Sequence, residues 1–385
     1  MPEGLKSMPT HPKKKAATVR DVAKAASVGF ATAARTLGGY GSVSPEVRGR
    51  VLLAAATLGY RPNRLARSMA TGTSRTLGVV VADIENQFFA RIVRGISDVA
   101  RPAGFEVILV NSDEKANEER VAVRMLAEKQ VDGIIVAPAA VNDFGHLSEL
   151  QDSGLPIVLL DRNIPQLAAD AVVIDGMNAA EEATDHLIAL GHRRIAIVTD
   201  VLSETPIPRD FRPPASVATA GIRLAGFLKA LHRAGLAVDE LLVRRASPTI
   251  AGAYSEAGAL MDLTSPPTAI FTTDNVMTLG AFEALQDREI RIPQDLSFFG
   301  FDDLDWTRIV HPPLSVVAQP VYELGATAAQ TLLGRIEGRA GSAQVRVLPT
   351  QLVHRGSTRQ VSNGHRRAKS INRVPVPPGE IRPQT

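Results

Sequence analysis

The chain has 385 residues, of which 45% are hydrophobic and 22% are charged, a composition typical of a globular protein that buries more than one core. It has no cysteine, which excludes a disulfide framework and thiolate metal ligands and favours a reducing compartment. Residues 1–76 carry 13 Lys and Arg against 3 Asp and Glu, whereas residues 77–360 carry 25 against 36. A basic head on an acidic body predicts a polyanionic partner, because basic side chains beside phosphates release counterions. The alternative is a solvated basic arm.

The first stretch of the chain, residues 1–17, is basic and has no apolar run after its positive charges. It does not resemble an export signal, and no later stretch reaches the roughly 18 to 20 apolar residues of a membrane span. We expect a disordered arm here, a chain that stays in the cytoplasm, and no membrane partner.

Residues 18–62 show the pattern of three short helices. Thr18 can cap the first helix, because Asp21 follows at the third position. Gly29 separates it from a second helix, which the glycines of residues 38–41 end. A serine–proline pair, typical of a helix start, opens the third helix. The predicted buried faces of the first and third helices consist of Val19, Val22, Ala23 and Ala26, and of Val47, Val51, Leu52, Ala55 and Leu58.

Two helices joined by a tight turn indicate a helix-turn-helix, in which the second helix enters the major groove of DNA. In that helix, Ala33 and Leu37 would pack inward. The residues predicted to face outward are Phe30, Ala31, Thr32 and Arg35. There the arginine can pair with guanine, and the phenylalanine or the alanine can touch a thymine methyl. A lone arginine on a helix is usually only solvated, so this assignment depends on the motif.

Residues 63–75 are predicted to form a hinge between the head and the body. A helix from Asn63 to Thr71 would have only two turns, and such helices are marginal in water because nucleation costs more than the few hydrogen bonds return. We therefore expect this segment to order only when something supports it.

Residues 76–357 alternate short apolar runs with helical patterns, which predicts parallel strands joined by helical crossovers. The first set of runs covers residues 76–84, 105–112, 131–138, 156–162 and 170–176, and the second covers residues 193–200, 240–247, 268–274 and 296–303. Two consecutive halves of this kind would form two lobes. Because α/β sheets bind ligands beyond the carboxyl ends of their strands, we expect a ligand in the cleft between the lobes.

Four charged residues come just after predicted strands, namely Asp83, Arg162, Asp274 and Asp302. Their position places them at the edge of the sheet where ligands bind. For an aspartate at a strand end, the alternative is a cap for the next helix.

Residues 358–385 are basic, contain several prolines and have no heptad leucines, so a disordered tail is predicted.

These segments together resemble the LacI (lactose/galactose repressor) family of bacterial transcriptional regulators. The resemblance spans nearly all of residues 18–357, and it is carried by TVRDVAKAASV, SPEVRGRVLLAAATLGYRPNRLARSMATGTSRTLGVVVADIENQFFARIVRGI, KQVDGIIVAP, LIALGHRRIAIV, IRLAGF, FTTDNVMTLGAF, IPQDLSFFGFDD and HPPLSVVAQPVYELG. It implies a fold of the α/β class, with an N-terminal helix-turn-helix head and a two-lobed, periplasmic-binding-protein-like body of two parallel α/β sheets.

The resemblance also implies a function. The chain would be a ligand-responsive repressor of genes for the uptake or catabolism of a sugar or sugar acid, bound to a palindromic double-stranded DNA operator on the nucleoid. Some family members carry a C-terminal leucine zipper that makes tetramers, and its absence from this tail favours a homodimer. Neither a cofactor nor a metal is implied.

The family pattern assigns residues in the head, the hinge and the body. In the hinge, two copies would fold together in the minor groove, where Met69 takes the wedge position usually held by leucine; the alternative is an ordinary core residue. The DNA-contacting residues implied are Thr18, Phe30, Ala31, Thr32, Arg35, Asn63, Arg64, Ala66 and Met69. The effector-binding residues implied are Asp83, Phe88, Arg162, Arg223, Asp274 and Asp302.

Several positions depart from the family pattern. Gly29 and Ala34 replace serines of the reading helix, which removes a helix cap and a phosphate contact. Gly221 and Pro248 stand where many sugar-binding members place an arginine and an aromatic residue. Residues 202–216 are longer and richer in proline than usual.

An enzyme is disfavoured by the motifs. The LGGYG sequence at residues 37–41 resembles a phosphate-binding loop only superficially, because no strand precedes it and no Gly-Lys-Ser/Thr follows. The eight histidines are scattered without the spacing of metal ligands. The alternative from another class is a two-lobed solute-binding protein without a transcriptional role, which would need an export signal and would lack the basic head.

Overall fold

The structure of the protein, a computed structural model, describes residues 17–60, 72–201 and 219–361. Its contacts divide the chain into two compact units. The first unit contains the head, residues 17–60, together with a first lobe formed by residues 72–175 and 320–349. The second lobe consists of residues 176–201, 220–319 and 350–361.

The head contains the three predicted helices, α1 (Val19–Ala25), α2 (Phe30–Gly38) and α3 (Pro45–Thr57). The capping box at Thr18 is confirmed, since its Oγ1 accepts from the Asp21 N–H at 3.3 Å and Asp21 Oδ2 accepts from the Thr18 N–H at 2.8 Å. Gly39 ends α2 in the left-handed conformation, with φ +74°. The Ser44 hydroxyl caps α3, as predicted.

The core of the head is small, and part of its predicted face is wrong. Val22, Ala33 and Val51 are fully buried, but Leu52 is 51% and Leu58 41% exposed. Three short helices cover only a narrow stripe of one another, and Leu52 lies about 100° around α3 from Val51. Leu58 is the C-cap residue of α3, beyond its last regular turn.

The two lobes contain twelve strands and nine α-helices among the described residues. The strands are β1 (Thr76–Val81), β2 (Glu106–Asn111), β3 (Gly133–Val136), β4 (Ile157–Leu160), β5 (Asp170–Ile174), β6 (Ile195–Thr199), β7 (Val243–Arg245), β8 (Ala269–Thr272), β9 (Ser297–Phe301), β10 (Ser315–Ala318), β11 (Val345–Leu348) and β12 (Gln351–Val353). The helices are α4 (Gln87–Ala100), α5 (Ala116–Glu128), α6 (Gly145–Asp152), α7 (Gly176–Ala189), α8 (Thr219–Arg233), α9 (Ile250–Met261), α10 (Asn275–Asp287), α11 (Asp305–Ile309) and α12 (Val321–Ile336), with a 3-10 turn at Glu240–Leu242.

Each lobe is built on a six-stranded sheet. The first lobe has the order β11-β5-β4-β3-β1-β2, with every neighbouring pair parallel. The second lobe has the order β12-β10-β9-β8-β6-β7, parallel except for the antiparallel pair of β10 and β12. The central strands β3, β4, β6, β8 and β9 are buried at every residue, which is why they appear in the sequence as continuous apolar runs. All nine predicted strands are confirmed.

The prediction of two consecutive halves is wrong. After most of the second lobe is complete, the chain returns to the first lobe through α12 and β11, and β11 pairs with β5.

Helix α12 packs tightly on α4, where Gly95 and Gly325 leave room for the opposing backbones. A Cβ at Gly95 would collide with Tyr322, and a Cβ at Gly325 would collide with Ile92. No helix in the described ranges is both long and apolar enough to cross a bilayer.

Candidate DNA-reading surface and effector site

The outward face of α2 carries the side chains predicted to read DNA. Phe30 is 56% exposed, and Ala31 and Arg35 are exposed, whereas Thr32 is half-buried. The opposite face carries Ala33, which is fully buried. The amphipathic pattern of this helix therefore presents one arginine, one aromatic ring and one methyl group to solvent.

Two backbone-directed hydrogen bonds order the side chains of α2. The Arg35 Nε donates to the Ala31 carbonyl at 3.2 Å, which turns the guanidinium toward the start of the helix. Thr36 Oγ1 donates to the Thr32 carbonyl at 2.9 Å. Gly29 precedes α2, and within the described part of the chain no side chain caps its first amides.

The remaining residues predicted to contact DNA have different outcomes. Thr18 is exposed, and its hydroxyl is engaged with Asp21 Oδ2 at 2.7 Å, so it orders the start of α1. The hinge residues lie outside the described residues; they are Asn63, Arg64, Ala66 and Met69.

A charged cluster lies at the carboxyl ends of the second-lobe strands, around Arg223 of α8. Arg223 is only 5% exposed, its Nη1 donates to the Thr273 carbonyl at 2.7 Å, and its guanidinium carbon lies 3.9 Å from the centre of the Phe301 ring. Its Nε has no hydrogen-bond partner among the described residues. A buried donor of this kind is costly to leave unpaired, so it is suited to an incoming acceptor.

Asp274 caps α10 and also takes part in this cluster. Its Oδ1 accepts from the N–H groups of Val276 and Met277 at 2.8 and 2.9 Å, so the helix-cap interpretation is confirmed for this residue. Burial and the neighbouring carboxylate of Asp200 raise the pKa of Asp274 to about 7, with a further upward contribution from Asp302. The Met277 N–H and Arg223 oppose this shift.

Asp302 follows β9 in a strained conformation, with φ +74° and a side chain that is 2% exposed. Its two oxygens accept from Asn275 Nδ2 at 3.0 Å and from Gln319 Nε2 at 2.6 Å. The Gln319 Oε1 has no partner among the described residues. The site therefore presents amide and guanidinium donors together with carboxylate acceptors, which suits a ligand whose hydroxyls both donate and accept.

Sequence reasoning missed three members of the cluster. Asp200 directly follows β6 and Gln319 directly follows β10, so the rule that selected Asp274 applies to both. Asn275 is the first residue of α10, and nothing local distinguishes it from other helix starts.

Of the residues predicted in the first lobe, Asp83 and Arg162 follow strands β1 and β4, whereas Phe88 lies in the first turn of α4. Both terminal nitrogens of Arg162 donate to the Glu114 carboxylate at 2.8 Å, and Nη1 also donates to the Pro138 carbonyl at 2.7 Å. Asp83 Oδ1 accepts from the Glu85 N–H at 2.9 Å in a local turn. Phe88 is 6% exposed and belongs to the hydrophobic core of this lobe.

Backbone strain is concentrated at these edges. Eight non-glycine residues in the described ranges have positive φ. Four of them lie within three residues after strands β2, β4 and β9, namely Asp113, Glu114, Asp161 and Asp302. Such conformations cost about 1 to 3 kcal/mol each and persist where the surroundings enforce them, often at ligand sites. In residues 17–60, 72–201 and 219–361, no group of three or more His, Asp or Glu side chains is arranged to hold a metal ion.

A helix-turn-helix head joined to two α/β lobes with charged strand ends defines a class of proteins, the DNA-binding regulators with a periplasmic-binding-protein-like body. Comparison with known proteins agrees: residues 18–63 match the family of bacterial regulatory proteins of the lacI family, and residues 184–358 match a periplasmic binding protein-like domain. The chain is 34% identical over 344 residues to the HTH-type transcriptional repressor CytR of Escherichia coli strain K12, covering 89% of this chain and 97% of that protein. This protein belongs to the LacI family of bacterial transcriptional regulators.

Solved structures extend the similarity. The Lac repressor dimer bound to operator and the anti-inducer ONPF matches with a TM-score of 0.77 at 26% identity, over 90% of this chain and all of that one. A LacI family regulator from Enterococcus faecium with bound ribose matches with a TM-score of 0.64 at 31% identity, over 74% of this chain and all of that one.

Proposed function

We propose that this protein is an effector-responsive repressor that binds a palindromic operator as a homodimer and controls genes for the uptake or catabolism of a sugar or sugar acid. The observation that carries the proposal is the presence, in one chain, of an exposed reading face on α2 and a buried Arg223 surrounded by carboxylates. The relatives named above are a repressor, a repressor dimer on its operator, and a regulator with bound ribose.

The DNA-binding half of the function is assigned to residues 18–75. Within the head, residues 18–62, Arg35 reads a base while Phe30 and Ala31 contact methyl groups in the major groove. The hinge, residues 63–75, contributes the minor-groove contacts, with Met69 as the wedge. We further propose that the basic stretches at residues 1–17 and 358–385 add contacts to phosphates that do not depend on sequence.

The effector-binding half is assigned to residues 76–357. In the second lobe, the residues that hydrogen-bond the ligand hydroxyls are Arg223, Asp274 and Asp302. In the first lobe, Asp83 and Arg162 contact the same ligand. Phe88 supports the first-lobe site from the core. The carboxylates outnumber the arginine in the second-lobe cluster, which favours a neutral sugar over a sugar acid, because an anionic ligand would meet like charges there.

Regulation takes the form of a coupling free energy between the operator and effector sites. Each ligand favours a different state of the same chain, so binding of one changes the affinity for the other by the same factor. The role is a non-enzymatic one, performed in the cytoplasm on the nucleoid.

The test begins with the full-length protein and a pool of duplexes with a random central sequence. Selection should yield a palindrome with two half-sites, because a two-fold symmetric dimer reads symmetric DNA. A thermal-shift screen of neutral sugars and sugar acids should then identify a compound that raises the melting temperature and changes affinity for the selected duplex. If the selection enriches no sequence, the proposed operator binding is contradicted. If every compound that raises the melting temperature leaves the affinity for DNA unchanged, the proposed response to an effector is contradicted.

A further inference from the structure

The glycine-rich turn after the reading helix has no role in the function proposed above. Its residues are Gly38, Gly39, Tyr40 and Gly41. Gly39 and Gly41 have φ values of +74° and +72°, a left-handed backbone that glycine adopts at little cost. The Tyr40 N–H donates to the Arg35 carbonyl at 3.1 Å and so joins the turn to the last turn of α2. Two glycines in this conformation flank a single large side chain, that of Tyr40.

The Tyr40 ring lies against a glycine and still faces solvent. Its edge lies against Gly38, where any Cβ would collide with Cε1 and Cδ1 of the ring. Even so, the side chain is 46% exposed, whereas Tyr60 in the same head packs against the hydrophobic core. An exposed tyrosine ring that lies on a glycine and not on the core leaves much of its surface available to a partner.

Tyr40 and Arg35 belong to one surface. Gly38, on which the ring lies, is three residues after Arg35, so these two positions lie on the same face of α2. On the other side of the turn, the aliphatic chain of Arg35 packs against Gly41: a Cβ there would lie 3.0 Å from Arg35 Cδ. Arg35 therefore connects the reading face of α2 with the turn that carries Tyr40.

We propose that Tyr40 is a further operator-contacting residue, which places its ring against the deoxyribose and its hydroxyl against a phosphate next to the base pair read by Arg35. The inference rests on the operator binding proposed above and adds a contact outside α2. Tyrosine hydroxyls are among the groups that donate to phosphate oxygens, and an amphipathic ring matches a sugar with a charged neighbour. The excess of Lys and Arg over Asp and Glu in residues 1–76 favours DNA as the occupant of this surface.

Binding measurements on the duplex selected by the wild-type protein test the inference. Tyr40→Ala should bind that duplex about tenfold more weakly, and Tyr40→Phe, which keeps the ring, about threefold more weakly. Leu53→Ala is the matched control, because Leu53 is 71% exposed on α3 of the same head; it should bind like the wild type. Melting temperatures of the three variants should equal that of the wild type, since neither side chain is in the core.

Photo-crosslinking gives the direct readout. A benzoyl-phenylalanine at position 40 should crosslink to the selected duplex beside the base pair whose preference is lost in Arg35→Ala, and the same group at position 53 should not. If the wild-type protein selects no sequence, the operator function and this inference fall together. If it selects one, but Tyr40→Ala binds normally or position 40 crosslinks only to a second protein molecule, the Tyr40 inference alone is overturned.

Discussion

At the scale of single residues, the second-lobe cluster depends on whether Asp274 holds a proton. Burial first and Asp200 second raise its pKa to about 7, so both ionisation states are populated near neutral pH. A protonated Asp274 can donate to a ligand oxygen, while its Oδ1 keeps the two amides of α10. The ionised form adds a negative charge beside Asp302, which disfavours anionic ligands further.

This raised pKa makes stability depend on pH. A carboxyl whose pKa is higher in the folded than in the unfolded chain binds its proton more tightly when the chain is folded. Its contribution to the free energy of unfolding is therefore complete below about pH 3.9, and this contribution is lost as the pH rises through 7. The wild-type protein should therefore lose on the order of 2 kcal/mol between pH 5 and pH 8 relative to Asp274→Asn, whose amide still caps the helix but cannot ionise. Thermal melts of both proteins across this range test the expectation. Parallel profiles would contradict the shift.

Arg35 also acts at the scale of single residues, because one bidentate contact between its guanidinium and a guanine sets the preference at one base pair. Arg35→Ala should cost about 1 to 3 kcal/mol on the selected operator and relax preference at a single position, with little change on random DNA. Fluorescence anisotropy with both duplexes separates these effects. Arg94→Ala is the control, because Arg94 is an exposed arginine of the first lobe paired with Asp98 at 2.8 Å. An equal loss on both duplexes would reduce Arg35 to a phosphate contact.

At the scale of helices and strands, sequence reasoning succeeds where burial leaves a continuous signal. The central strands are buried at every residue, and the capping box at Thr18 is a strictly local pattern, so both could be predicted. Strand β11 could not, because Val345 and Val347 are exposed at the sheet edge and its partner β5 lies far earlier in the chain. Nothing in the four residues Val-Arg-Val-Leu specifies such a distant pairing.

The residues of the candidate site also divide into those that a local sequence pattern identifies and those that only the folded lobe brings together. The strand-end rule finds Asp274 and Asp302, because position after a strand is a local property. The same rule applies to Gln319, which directly follows β10, but not to Asn275, and the contact of both amides with Asp302 arises only in the folded lobe. At Phe88 the sequence pattern fits two environments, because an aromatic residue at a helix start can line a ligand site or belong to a core. The structure places Phe88 mainly in the core.

The junction between the hinge and β1 is held by hydrogen bonds to one carboxylate, and this contact should have a measurable effect on stability. Asp132, just before β3, accepts from Ser74 N and Oγ at 2.7 and 2.9 Å and from the Arg75 N–H at 2.9 Å. Asp132→Ala would leave these donors without their acceptor and should cost the first lobe about 1 to 3 kcal/mol. Urea unfolding measures the cost. Asp143→Ala, which removes an exposed ion pair with Arg120, should cost less than about 1 kcal/mol.

At the scale of the whole molecule, regulation requires that two sites in one chain bias the same equilibrium. An effector can shift operator binding only by its difference in affinity between the two states, and a coupling of about 1 to 3 kcal/mol corresponds to roughly 5- to 150-fold. The buried Arg223 is suited to this differential contact. It is held by Thr273 and Phe301, and a ligand acceptor would meet a cation that has already been desolvated.

Replacement of that cation should therefore separate the two functions of the protein. Arg223→Ala should weaken binding of the effector identified by the thermal-shift screen at least tenfold, because a charge-assisted contact in a buried site is lost, while operator affinity without effector should stay within about twofold of wild type. Lys229→Ala is the control on the same helix: its side chain is 60% exposed and pairs with Glu181 at 2.8 Å. Operator titrations with increasing effector, run on all three proteins, measure the coupling directly. A normal response in Arg223→Ala would remove this residue from the effector site, and a parallel loss of operator affinity and melting temperature would show that it only supports the fold of the second lobe.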